Sequence, residues 1–269
     1  MPEPLPAEIA SALRATAARR GPFGEPLHFF SETESTNDVA ATLAEQGATE
    51  GTTVVASSQT AGRGRLGRGW FSPPGAGLYV SVVFRNPRAV PLLTIAGGVA
   101  VADGIRAATG LPVGLKWPND VVAESGLTPP RRRKIAGVLA EASSGAEGVQ
   151  HVVLGFGINL RPAAYPPEIA DRASSIETEL GRVPDAGAVL AETLCALAAY
   201  SAAVHAGHAG SLLDRWRALA PSASGATVRW DAPDGERTGV TVGIDDSGAL
   251  LVRAGDRVER VISGDVRWI

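Results

Sequence analysis

Pro221 divides the chain into two patterns, and no other feature restricts the fold more. Before it, stretches with helical periodicity alternate with apolar, strand-like runs. After it, ATVRW, GVTVGI, ALLVRA and ERVISG are short strands separated by the turn sequences APDG, DDSG and AGD. Short strands so closely spaced predict a small all-β barrel of about forty-five residues. Proline cannot continue the helix that precedes it. The expected division is therefore a main domain of residues 1–221 and an appendage of residues 222–269.

In the main part, residues 7–19 read as a short helix and STNDVAATLAEQG as a second. In the second, Ser35 is the cap, Asp38 completes a capping box, Val39 and Leu43 share a face, and Gly47 stops it. TTVVASS reads as a strand, and LYVSVVF alternates like a half-buried one. PLLTIAGGVAVADGIRAATG reads as a helix entered at Pro91 and ended at Gly110. LPVGLKW, KIAGVLAEAS and HVVLGFGINL are further strands, joined by a turn at PND and a polar loop containing TPPRRRK. Two helices follow, one carrying Leu190, Leu194, Leu197 and Val204, the other Leu212, Trp216 and Leu219. These elements predict an α+β fold built on a mixed sheet.

With 269 residues, 45% hydrophobic and 20% charged, the chain can bury a sizeable core without disulfides. Its single cysteine, Cys195, lies in an alanine-rich run and reads as a buried structural thiol. The amino terminus lacks a basic stretch followed by an apolar one, and no uninterrupted apolar run is long enough to span a bilayer, which predicts a cytoplasmic protein with no membrane partner. A net charge of -3 offers nucleic acid no overall attraction. About thirty residues precede the first motif, too few for a complete helix-turn-helix domain. Anion binding must come from local clusters, and two exist, at Arg63 to Arg68 and at Arg131 to Lys134.

The first cluster lies in QTAGRGRLGRGW, Gln59 to Trp70, where glycines free the backbone to wrap an anion and arginines supply charge. Gly62, Gly64 and Gly67 spell a dinucleotide-binding fingerprint, but that motif should open a helix, and Trp70, Phe71, Ser72, Pro73 and Pro74 do not continue one. A phosphate-binding loop or a basic surface turn remains. LKWPND, Leu115 to Asp120, puts a cation, an aromatic, a turn and two acceptors at a strand end, although PND alone is equally a plain turn. In RRRKIAGVLAE only Lys134 invites a chemical role; Arg131, Arg132 and Arg133 read as a solvated loop. In LGFGINL the glycines permit close approach and Asn159 interrupts an apolar strand.

Together and in this order, the segments resemble the biotin protein ligase family from about Ser35 to Asn159, with a compatible carboxyl-terminal barrel. The resemblance implies a synthetase-like mixed sheet with helices and a small SH3-like barrel. It implies that Ser35, Thr36, Asn37 and Gln59 line a biotin pocket and that Arg63, Gly64 and Arg65 cover the acyl-adenylate. It puts Lys134 against the biotin carboxylate and phosphate, and the nucleotide on Arg63, Arg65, Arg68, Trp70, Asn119, Lys134 and Asn159, with Trp70 shielding the adenine. Catalytic roles fall to Lys134, Arg65 and Asp120, and no protein-built metal cage is implied. Leu66 departs from the pattern, since the family loop often carries arginine there.

The implied reaction has two steps. Biotin and ATP, with magnesium as activating ion, form biotinyl-5'-adenylate; a lysine of a biotin carboxyl carrier domain then takes the biotin. A lipoate or octanoate ligase shares the reaction type but would show a different arginine and glycine signature. A non-enzymatic biotin-sensing regulator would need a DNA-reading element.

Overall fold

The computed structural model describes residues 1–85, 92–124, 132–146, 148–232 and 235–269. The expected helix entry at Pro91, the loop arginine Arg131 and the middle of the APDG turn lie outside the described residues.

The main part is a seven-stranded mixed sheet with helices on both faces. Its strands are β1 (Leu27–Phe30), β2 (Thr53–Ala56), β3 (Gly77–Phe84), β4 (Gly114–Lys116), β5 (Asp120–Glu124), β6 (Arg132–Gly145) and β7 (Gly148–Asn159), in the spatial order β1-β2-β3-β7-β6-β5-β4. Only β1 and β2 run parallel; every other pair is antiparallel. The helices are α1 (Ala7–Arg20), α2 (Thr36–Glu45), α3 (Leu93–Thr109), the short α4 (Pro167–Ala170) and α5 (Ile176–Leu180), α6 (Ala186–His205) and α7 (Ala209–Leu219). Leu78, Val80, Val82 and Phe84 of β3 face the large core under α3 and α6, while Val83 joins Ala40, Ala44, Val54 and Val153 beneath α2. Strand β3 is therefore buried on both faces rather than half-buried, because the opposite face is also roofed. Helix α6, 20 residues long, has a mean hydropathy of 1.6 over an 18-residue stretch, enough by length and composition to cross a bilayer, but half of that stretch is buried inside the fold and Val189, Leu190, Leu194 and Leu197 belong to the core.

The capping box expected at Ser35 does not form. Ser35 holds the extended N-cap backbone conformation without a side-chain cap bond. Gln59 Oε1 instead takes the Thr36 N–H at 2.8 Å, and Asp38 turns to Arg63 at 2.7 Å.

Beyond Pro221 the strands β8 (Ser224–Ala232), β9 (Gly235–Ile244), β10 (Leu250–Ala254), β11 (Arg257–Val261) and β12 (Val266–Trp268) form one antiparallel sheet in the order β11-β10-β9-β8-β12. The sheet is all-β as expected, but it is not closed into a barrel: β11 and β12 are its two edges. It docks through buried Trp117, whose indole N–H donates to the Gly248 carbonyl at 2.9 Å.

The pairing of β5 with β6 carries an irregularity. Val121 of β5 faces Ala136 of β6, but Val122 faces Lys134, leaving Ile135 unmatched in a bulge.

Candidate active site

On the sheet face that carries α2 a cavity of about 760 Å³ opens, with Ile169 of the short α4 in its wall, and its volume lies within the usual range for small-molecule sites. Strand parity decides what lines it. Along β7, Val152, Leu154, Phe156 and Ile158 face the core, so Gly155, Gly157 and Asn159 face the cavity. Two of these positions require glycine. A Cβ on Gly155 would lie 2.2 Å from Asn37 Oδ1, and one on Gly157 would lie 2.3 Å from Trp70 Nε1. Functional side chains rest on the bare strand where side chains would otherwise stand.

The inner end of the cavity is built from neutral hydrogen-bonding groups. Gln59 Oε1 accepts from the Thr36 N–H and, at 3.1 Å, from its hydroxyl, while Gln59 Nε2 donates to Ser72 Oγ at 3.0 Å. Ser81 Oγ lies 2.8 Å from Thr36 Oγ1 and 2.5 Å from Asn37 Oδ1. The Asn37 amide donates to Glu141, which also takes Arg63 at 3.0 Å. Ser35, Thr36 and Asn37 are all buried. Because Thr36, Asn37, Gln59, Ser72 and Ser81 answer one another, that set is rigid and presents fixed donors and acceptors.

The outer half is cationic. In the loop containing a 3₁₀ turn at Arg65–Gly67, the backbone folds back so that the Gly64 N–H meets the Arg68 carbonyl at 2.7 Å. Arg63 is held by Asp38 and Glu141, and these hydrogen bonds, that to Glu141 foremost, keep its pKa above the usual value. Arg68 binds Asp265 of the carboxyl-terminal sheet at 2.7 Å, which holds that carboxyl below its ordinary range. Arg65 differs. It reaches Asn119 Oδ1 at 3.4 Å and makes no ion pair among the described residues. Burial pulls its pKa down, opposed by Asp120 and Asp265, so the guanidinium is a poorly compensated charge facing the cavity.

Lys134 sits at the junction of the halves, 2.6 Å from Asp120 Oδ1 and 4.9 Å above the Trp70 ring. The Ile135 bulge puts it there. Lys134 and Gly137 are three positions apart and would face opposite ways in a regular strand, yet the lysine Nζ lies 2.9 Å from where a Gly137 Cβ would stand. The half-exposed pair with Asp120 contributes about 1 kcal/mol or less, so it can be exchanged for a ligand anion.

Not every expected ligand group is free. Asn159 lines the cavity, but its amide donates to the Ser174 carbonyl at 2.9 Å and the Lys134 carbonyl at 3.5 Å, making it a clamp on the lysine's backbone. Asn119 similarly donates to the Val138 carbonyl at 2.7 Å and fixes the turn after β4. Groups not expected as ligands also line the cavity: Lys116, Tyr165, Asp265 and Trp268. Burial holds the Tyr165 hydroxyl above its ordinary pKa. Lys116 is visible in the sequence as the cation of KWPND, but its place opposite Asp120 follows from the β4–β5 register, and β5 is too short to read from sequence.

Comparison with known proteins fits this geometry. Residues 29–159 match the Biotin/lipoate A/B protein ligase family and residues 223–267 match the Biotin protein ligase C terminal domain. The chain is 34% identical to a biotin--[acetyl-CoA-carboxylase] ligase of Mycobacterium tuberculosis over 260 residues, 89% of this chain and 88% of that one. It is 33% identical to the bifunctional ligase/repressor BirA of Bacillus subtilis over 249 residues, 90% of this chain and 74% of the other. The biotin protein ligase of Aquifex aeolicus, solved in complex with biotin and ATP, superimposes with a TM-score of 0.73 at 29% identity, covering 90% of this chain and 98% of that one. With both its domains and most of its length shared with these proteins, the chain belongs to the biotin protein ligase family.

Proposed function

We propose that this chain joins biotin to ATP as biotinyl-5'-adenylate and transfers the biotin to a lysine of a biotin carboxyl carrier domain. The observation that carries the reading is the division of one cavity into a neutral, hydrogen-bonding inner end and a cationic mouth. Biotin has that polarity: an uncharged ureido head, an apolar ring and chain, and a carboxylate tail. With the head on Ser35, Thr36, Asn37 and Gln59, the tail reaches Lys134 and Arg65. Arg65, which makes no ion pair among the described residues, then gains an anion of its own.

In the first step a biotin carboxylate oxygen bonds to the α-phosphorus of ATP, the bond to the β-phosphate oxygen breaks, and pyrophosphate leaves with the electron pair. Charge concentrates on phosphate oxygens, where Lys134, Arg65 and the loop amides can stabilise it. Trp70, packed against Gly157 at the edge that carries its Nε1, would shield the adenine. Magnesium enters this reading with the nucleotide. Asp120 and Asp265 are already held by Lys134 and Arg68, and no group of three metal-ligating side chains occurs among the described residues, which suits an ion bound through phosphates. In the second step the neutral acceptor amine attacks the acyl carbon and AMP departs. Asp120, released from Lys134, can orient the amine and take its proton.

The reading divides the work between a catalytic domain of residues 1–221 and a domain of residues 222–269 that supplies one wall of the mouth. The reading assigns no DNA contact to α1, whose Ile9 and Leu13 pack into the core. We place the reaction in the cytoplasm, where ATP is available and a thiol such as Cys195 stays reduced. The test is exchange of labelled pyrophosphate into ATP by the purified chain. Exchange should require biotin and magnesium and should not proceed with lipoate or octanoate; exchange that is indifferent to biotin overturns the reading.

A further inference from the structure

The cations around the mouth fall into two classes. Arg63, Arg68, Arg132 and Lys134 are answered by Asp38 and Glu141, Asp265, Glu124 and Asp120 respectively. Arg267 is answered by Asp231 and Glu236, and Arg172 donates to the Glu168 carbonyl, whereas Arg65 and Lys116, the two that flank Asp120, make no ion pair among the described residues. Arg65 has a task in adenylation. Lys116 does not, and it is mostly buried in the cavity wall, with its ammonium 4.9 Å above the ring of Trp268, the last residue of β12.

Asp120 thus lies between two lysine–tryptophan stacks. On the loop side Lys134 stands over Trp70; on the carboxyl-terminal side Lys116, directly across the β4–β5 hairpin from Asp120, stands over Trp268. We propose that Lys116 binds the β- and γ-phosphates of ATP and stabilises pyrophosphate as it leaves, with Trp268 holding the ammonium in place. This rests on the adenylating reading of the site. The chemistry agrees with it. If the α-phosphate is held by Lys134 and Arg65, the electron pair released on breaking the Pα–O bond goes to the pyrophosphate oxygen, and the charge grows on the side away from biotin. Lys116 is the cation on that side without a carboxylate of its own. A contact with an aromatic face offsets only part of the cost of burying an ammonium ion, and a polyphosphate supplies the remainder. Burial pulls the pKa of Lys116 down, with Asp120 and Asp265 opposing, as expected of a cation waiting for its anion.

The test uses the full chain with Lys116→Met, which keeps the stem against Trp268 and removes the charge. In biotin-dependent exchange, the KM for ATP and the inhibition constant for pyrophosphate should each rise about tenfold or more, the loss of one charge-assisted contact. Biotin binding, and transfer from supplied biotinyl-5'-adenylate to an acceptor, should stay within about twofold, since neither involves pyrophosphate. Lys116→Arg should restore most of the pyrophosphate affinity, and Trp268→Leu should weaken it by a smaller factor. Unchanged pyrophosphate inhibition in Lys116→Met overturns the proposal. So does a parallel loss of biotin binding and transfer, which would assign Lys116 to packing or to the second step. A wild-type chain that fails to exchange pyrophosphate in response to biotin overturns the adenylating reading instead.

Discussion

Replacing Gly157 with alanine puts a methyl group into the indole of Trp70. The added carbon would lie 2.3 Å from Nε1, 2.5 Å from Cε2 and 2.9 Å from Cζ2. Such atoms rest at about 3.5 Å, so the ring must retreat by about 1 Å. The strand cannot give way, because Gly157 is paired on one side with Tyr79 and on the other with Gly137, mid-sheet. Misplacing a positioning group by about 1 Å costs on the order of a hundredfold in rate, or about 2.7 kcal/mol. The same methyl at Gly155 meets a different neighbour, Asn37 Oδ1, at 2.2 Å. Two glycines one turn of the pleat apart thus address opposite ends of the cavity. Gly157→Ala should lower kcat/KM for ATP in pyrophosphate exchange by about a hundredfold and leave biotin affinity nearly intact. Gly155→Ala should do the reverse. Both should fold, since alanine is favoured over glycine in a strand by about 0.5–1 kcal/mol, which offsets part of the strain. Thermal melting checks that point, and isothermal titration with biotin separates the two effects. If Gly157→Ala keeps its ATP kinetics, or if both variants lose both functions equally, the division of the cavity is wrong.

Lys134→Ala should slow biotin-dependent pyrophosphate exchange by on the order of a hundredfold or more, and near-normal exchange would remove this lysine from the chemistry. Arg65→Gly should still make the adenylate but release it, so bystander proteins become biotinylated more broadly than by wild type; labelling no broader than wild type's would reassign Arg65 to substrate binding. Asp245 sets an acid limit on the carboxyl-terminal sheet. Burial raises its pKa, but hydrogen bonds from Ser247, Arg260 and the Ala249 N–H outweigh that and hold it at about 2, below the ordinary 3.8. A depressed carboxyl stabilises the fold above its unfolded pKa and loses that contribution as pH falls through the folded one. Acid unfolding should therefore steepen between about pH 4 and 2, by no more than about 1 kcal/mol for so exposed a pair, and Asp245→Asn should flatten it.

Much of the fold is legible in the sequence, and some of its short elements are not. Helices α3, α6 and α7 announce themselves through long apolar periods and the stops at Gly110 and Pro221. Strands β1, β5 and β12, with four, five and three residues, go unread: each is short and, unlike the equally short β2, β4, β10 and β11, lies outside the apolar runs that the sequence reads as strands. The arginine loop, Lys134 and Gln59 stand out because each lies within a compact motif. Asp265 and Trp268 do not, because they reach the mouth from the other end of the chain, and only the docking of the second sheet brings them to Arg68 and Lys116. Local rules also mis-assign Asp38: they make it a capping residue, whereas it pairs with Arg63, a contact 25 positions away that no local rule contains.

The bulge at Ile135 makes Lys134 a register pin. Were β6 to pair flush with β5, Lys134 would sit opposite Ala123, whose methyl belongs to the apolar core, and Ile135 would swing opposite Val122 onto the cavity wall. Flush pairing would gain a ladder hydrogen bond or two, about 1 kcal/mol each, whereas an unpaired ammonium in the core costs several kcal/mol. The charge proposed for the chemistry thus also proofreads the strand. A leucine at position 134 would lose more than a reactive group: only the exposure of Ile135, about 2 kcal/mol, would then oppose the slipped pairing, and the first residues of β6 would be held to one alignment less firmly.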